Sequence, residues 1–109
     1  METPPSTIEV SGWKNGKFDN RKPVAIGISV GRKNAERFFD KRWDVVVIQM
    51  DGITIPVRIT NGFRSKCPEL RHPAIADWMK RKGLVPWARG NPPKMFLTHV
   101  VGNKFRLSS

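Results

Sequence analysis

The clearest pattern in the chain is a pair of apolar, β-branched runs that meet at Asp51-Gly52. Asp-Gly suits a two-residue hairpin turn, because both turn positions must tolerate positive φ. Pairing outward from that turn sets Met50 opposite Ile53, Ile48 opposite Ile55 and Val46 opposite Val57. Directly opposed residues share a face of an antiparallel pair, so all six are expected on one apolar side. Turn chemistry and hydrophobic pattern thus predict the same register for Asp44–Thr60. Pro56 cannot donate to the ladder, which assigns its nitrogen side to an edge or a bulge.

Upstream, Val24, Ile26, Ile28 and Val30 alternate with the small Ala25, Gly27 and Ser29, predicting a second strand. Asn34 then reads as the N-cap of a short helix, with Ala35, Phe38 and Phe39 spaced i, i+3, i+4 along its buried stripe. A brief strand is expected at Ile8–Val10, followed by a Gly- and Asn-rich loop over residues 11–23. Downstream of the hairpin, residues 61–71 read as a polar, basic loop. A second helix is expected to begin at Pro73, a residue suited to the first helical position. Ile75, Trp78 and Met79 form its apolar stripe, Leu84 packs behind, and Lys80, Arg81 and Lys82 occupy its last turn before Gly83. Residues 87–93 read as a loop. A terminal hairpin follows, from Met95 to Val101 and from Lys104 to Leu107 around Gly102-Asn103.

Two short helices among several short strands imply an α+β fold, a mostly antiparallel sheet curled into an open barrel. The 109 residues accommodate one core, assigned to residues 8–109, preceded by a flexible arm over residues 1–7. A helix-turn-helix would need three closely spaced helices, and the pattern offers two. Four Trp and six Phe distinguish the chain from a disordered one.

Charge then narrows the function. Twenty Lys and Arg against nine Asp and Glu give +11, and most of the excess lies in residues 52–109. A compact domain with this asymmetry presents one strongly positive surface, which attracts polyanions. No long basic amphipathic helix is present to favour a membrane surface, and no apolar run approaches the roughly 18 residues of a spanning helix. The N-terminus is expected to hold no signal peptide. The lone Cys67 has no internal disulfide partner, which makes an intracellular location, cytoplasm, nucleoid or nucleus, the expected one.

Catalytic and metal chemistry find little support. His72 and His99 are far apart, and one Cys gives no zinc-ligand spacing. Cys67 near His72 lacks a third residue to orient a nucleophilic pair. The nine acids are scattered, Asp51 is accounted for by its turn, and no Gly-rich phosphate loop occurs. The expectation is a non-enzymatic domain without cofactor or metal. Trp13, Phe63, Trp78 and Trp87 lie near cations and invite base stacking, but Trp78 is assigned to the core by its helical partners. Phe63 and Trp87 each lie beside an Arg in a loop, an arrangement that suits either base stacking or anchoring of the loop, with anchoring favoured.

The segment Val24–Phe39, followed by a hairpin with a Gly turn, a basic loop, a helix carrying Trp78 before Gly83-Leu84, and final strands, resembles the B-three DNA-binding pseudobarrel. That family includes plant auxin-response-type transcription factors and effector domains of certain restriction endonucleases. The resemblance spans roughly residues 8–107 and rests on order and spacing. Val85–Gly90 stands where the plant branch often carries Gly-Asp, which draws the chain closer to the endonuclease effector branch. The resemblance implies a wrench-like grip on double-stranded DNA, with two loop arms in the major groove. By position, the first arm is residues 13–22, with Lys14, Lys17, Arg21 and Lys22, and the second is residues 60–71, with Asn61, Arg64, Ser65 and Lys66. The residue chemistry is compatible: Arg can read guanine, Asn can read adenine, and Lys mostly serves phosphates. Two alternatives remain open, an RNA- or single-strand-binding module that stacks bases on Phe63 and Trp87, and a basic subunit for an acidic protein partner.

Overall fold

The computed structural model describes residues 6–16, 18, 25–65 and 68–109. Among them lie seven strands, β1 (Thr7–Asn15), β2 (Ala25–Ser29), β3 (Val45–Met50), β4 (Ile53–Arg58), β5 (Glu69–Arg71), β6 (Lys94–Val101) and β7 (Lys104–Ser108). Three short helices accompany them, α1 (Arg32–Phe38), α2 (Asn61–Ser65) and α3 (Pro73–Arg81). The strands form one sheet in the order β4-β3-β7-β6-β1-β2-β5, and its two end strands, β4 and β5, approach each other. The fold is an α+β open barrel. Every pairing is antiparallel except β3 with β7, which run parallel with Ile48 opposite Phe105. The sheet is therefore mixed.

The central hairpin has the register its sequence predicts, with Met50 opposite Ile53, Ile48 opposite Ile55 and Val46 opposite Val57. Val46, Ile48, Met50 and Val57 are fully buried, whereas Ile53 and Ile55 lie toward the barrel's rim and retain exposure. Pro56 stands on the edge strand β4, where its missing N–H breaks no ladder bond. Ile75, Trp78 and Met79 are fully buried, so α3 closes one end of the barrel with the stripe expected of it. His72 caps this helix: the Ala74 N–H donates to its Nδ1 at 3.0 Å.

Several elements differ from the sequence expectation. Strand β1 continues through Asn15, because Ser11–Asn15 pair along β2 while Thr7–Ser11 pair along β6. The expected arm over residues 1–7 falls largely outside the described residues, and Thr7 already belongs to β1. Helix α1 starts at Arg32 behind Gly31, whose φ of 87° suits glycine. Asn34 is inside that helix rather than at its cap, and its amide donates to the Val30 carbonyl at 3.0 Å. The expected loop over residues 61–71 contains α2 and β5. The Phe63 N–H donates to Thr60 Oγ1 at 3.2 Å, and burial of the Phe63 ring draws this turn into helix.

At the end of the barrel opposite α3, Phe39 stacks on Phe105 at 4.9 Å and meets Phe63 at 5.0 Å. Trp43 adds edge-on contacts to Phe39 and Phe105. This aromatic group fixes α1 and α2 to the sheet.

Candidate nucleic-acid interface

The strand pairings place the two candidate arms relative to each other. Strand β1 ends at Asn15 opposite Ala25, so the β1–β2 connection joins β2 at its N-terminal end. Strand β5 runs antiparallel to β2, with Gly27 opposite Arg71 and Ser29 opposite Glu69. The β4–β5 connection enters at Glu69 and therefore lies beyond the C-terminal end of β2. The Val30 N–H extends this pairing by donating to the Pro68 carbonyl at 2.8 Å. The two connections thus attach at opposite ends of one strand, whose five residues span about 16 Å at ~3.3 Å per residue.

Between them lies the outward face of β1, β2 and β5. Alternation buries Ile26 and Ile28 and puts Ala25, Gly27 and Ser29 on the opposite face, where Gly27 is itself covered by Arg71. Cross-strand rows follow from the register: Lys94, Ser11, Ser29 and Glu69 in one, Trp13, Gly27 and Arg71 in the next, then Asn15 and Ala25. Small side chains along β2 leave this face low. At Gly27 the low profile is obligatory, because a Cβ would lie 2.4 Å from the Leu70 carbonyl oxygen and 3.0 Å from Arg71 Cγ. The Arg71 side chain crosses above Gly27, and its guanidinium lies over the Trp13 ring, 5.0 Å from the centroid. Trp13 and Arg71 are the outermost residues of the two expected arms, but the sequence named neither among the residues expected to contact DNA. The signal was the small-residue face of β2, which acquires meaning only once its neighbouring strands are known.

The expected contact residues have separate environments. Lys17, Arg21, Lys22 and Lys66 lie outside the described residues. Lys14 belongs to β1 rather than to a loop. Its ammonium donates to the Gly16 carbonyl and sits 5.2 Å from the Phe18 centroid. Asn61 is exposed at the start of α2. Ser65, also exposed, donates back to the Asn61 carbonyl at 3.1 Å. The Arg64 guanidinium donates to the carbonyls of Asp40 and Trp43, tying α2 to the α1–β3 connection. Arg32 makes a matching tie, donating to the Ser65 carbonyl at 3.1 Å. Between α1 and α2 lies a concavity of about 360 Å³. Arg32, Lys41 and Arg64 line it together with the single acid Glu36. The second arm is consequently braced, with cations fixed around it.

Two carboxylates are held well ionised. Hydrogen bonds from Arg42 hold Asp40 down to about 2. The Lys82 ammonium, 2.8 Å from Asp51, depresses that carboxyl, and the Trp78 indole N–H adds to the effect from 3.0 Å, against some desolvation. Asp51 therefore serves the α3 end of the barrel as well as its own turn.

Phe63 is buried against Phe39 and is an anchor, not an open stacking surface. Trp87 is half-buried, packs edge-on to Phe18 at 4.8 Å and helps cover Gly12. Among the described residues, no three His, Cys, Asp or Glu side chains converge on a metal-sized site. Nor is any described helix long and apolar enough to cross a membrane. No family model, curated protein or solved structure matches the chain.

Proposed function

We propose that this chain is a non-enzymatic, intracellular domain that binds double-stranded DNA in the major groove. The observation that carries the reading is that two connections, both rich in Lys and Arg by sequence, attach at opposite ends of β2, with a low, small-residue face between the attachment points. Their separation of about 16 Å along the strand is commensurate with a major groove roughly 12 Å wide. The net charge of +11 supplies the attraction to phosphates. The order of strands, helices and basic connections also follows the order that the B-three resemblance implies, and β1–β2 and β4–β5 are its two arms. Lys14, Lys17, Arg21 and Lys22 would serve from the first arm, and Asn61, Arg64, Ser65 and Lys66 from the second. Burial of Phe63 removes one of the two stacking platforms that a single-strand-binding module would use.

Fluorescence anisotropy with labelled duplex, single-stranded DNA and RNA of matched length tests the proposal. Duplex should bind most tightly, and log K should fall against log salt with a slope near −4 to −5 for about five neutralised phosphates. Preference for single strands, or a flat salt response, would overturn it.

A further inference from the structure

We infer that Arg71, whose guanidinium lies over the Trp13 ring across Gly27, is the residue that reads a guanine in the bound duplex. The inference rests on the duplex-binding reading above and names a specificity determinant within it.

The row Trp13, Gly27, Arg71 crosses three adjacent strands at the middle of the face between the arms. A groove wall gripped at both ends of β2 would meet this row directly. Gly27 is needed for the arrangement, since any Cβ there would meet Arg71 Cγ at 3.0 Å and hold the side chain off the sheet. With Gly27 in place, the guanidinium comes to rest 5.0 Å from the Trp13 centroid.

Contact with the ring face restrains the guanidinium without consuming its N–H donors. The described cations of the face and its arms are otherwise committed. Lys94 pairs with Glu9 at 2.9 Å, Lys14 donates to the Gly16 carbonyl, and Arg64 donates to Asp40 and Trp43. Arg71 makes no hydrogen bond or ion pair among the described residues, although Glu69 shares its strand and face. An exposed arginine resting over an aromatic ring, its donors without a partner among the described residues, matches the two acceptors that guanine O6 and N7 present in the major groove.

The test is selection from a randomised duplex library, followed by affinities on singly substituted duplexes, for the wild type, Arg71→Ala, Arg71→Lys, Trp13→Ala and Trp13→Phe. Arg71 is exposed, so its variants should melt with the wild type, which thermal denaturation checks. Arg71→Ala is expected to lose roughly 5- to 150-fold on the preferred duplex and to lose preference at a single G·C pair. Arg71→Lys keeps the charge but not the fork, and should lose the same preference. Trp13→Phe should retain the preference better than Trp13→Ala.

Restoration of the preference by Arg71→Lys, or a uniform loss across all sequences, would make Arg71 a phosphate contact and overturn the inference. Unchanged preference in every variant would leave the contact as surface packing and equally overturn it, with the duplex reading intact. Failure of the wild type to bind any duplex would remove the duplex reading and this inference with it.

Discussion

Replacing Gly27 by alanine should damage the protein out of proportion to one methyl group. The added Cβ would stand 2.4 Å from the Leu70 carbonyl oxygen, where ordinary contact begins at 3.4 Å. Backbone must therefore withdraw by about 1 Å, and the element that yields is β5, a three-residue edge strand held by β2. Overpacking of this kind costs roughly 1–3 kcal/mol. Because backbone rather than a flexible side-chain tip is in the way, the upper half of that range is expected, about 2–3 kcal/mol. At roughly 4–8 °C per kcal/mol for a domain of this size, the melting temperature should fall by about 10 °C or more.

Gly62→Ala is the matched control. It lies inside α2, where a new Cβ meets nothing nearer than Thr60 Oγ1 at 3.6 Å. The same methyl there should stabilise by about 0.5–1 kcal/mol through the helix preference of alanine over glycine. Differential scanning calorimetry gives both values. Hydrogen exchange adds a local readout, since Gly27→Ala should deprotect the β5 amides and Gly62→Ala should not. If Gly27→Ala melts with the wild type and keeps β5 protected, the close approach of β2 and β5 is refuted, and with it the low face on which the interface depends.

Trp78→Ala removes a fully buried indole from the α3 end of the barrel and should cost about 3–5 kcal/mol in urea denaturation. Full stability with lost DNA binding would instead place Trp78 at the ligand. Arg64→Ala breaks the tie from α2 to the Asp40 and Trp43 carbonyls. It should lower stability by about 1 kcal/mol and weaken duplex binding on all sequences alike, checked by melting and by a duplex panel. Asp51→Asn retains a residue that accepts the turn's φ of 46° but loses the ionised contact to Lys82. Asp51 has its folded pKa below the unfolded value of about 3.9, so its contribution is complete above that pH and is lost as pH falls through the folded pKa. The variant should therefore be less stable than wild type at neutral pH and converge with it in strong acid, as read by urea melts across that range.

The readable parts of the fold were those set by local chemistry. Asp51-Gly52 fixed one hairpin, Gly102-Asn103 marked another, and Pro73 with Gly83 bounded α3. The parts that escaped were set by distant partners. Ser11–Asn15 has the composition of a loop, yet it is strand because β2 pairs it and Pro93 and Trp87 cover Gly12. β5 is three residues long, too short to display alternation, and exists because β2 offers it an edge. The parallel contact of β3 with β7 joins segments separated by most of the C-terminal half, and no local pattern announces it. Asn34 looked like a cap because its amide suits that role, but the Val30 carbonyl claims it from within the helix. Of the candidate interface, the basic connections were visible in the sequence. The contact of Arg71 with the Trp13 ring was not, because it requires β1, β2 and β5 side by side.

The strand order also governs how the molecule can assemble. The β3–β4 hairpin and the β1–β2–β5 group are joined in the hydrogen-bonded sheet only through β6 and β7, which come from the last sixteen residues of the chain. A nascent polypeptide that has not yet released Lys94 onward holds two half-sheets with no strand ladder between them and much of their apolar faces uncovered. Folding is then a late, concerted event dominated by long-range pairings, which places it on the order of milliseconds to seconds rather than microseconds. A stop codon anywhere before β6 should yield an aggregation-prone fragment, not a smaller working domain.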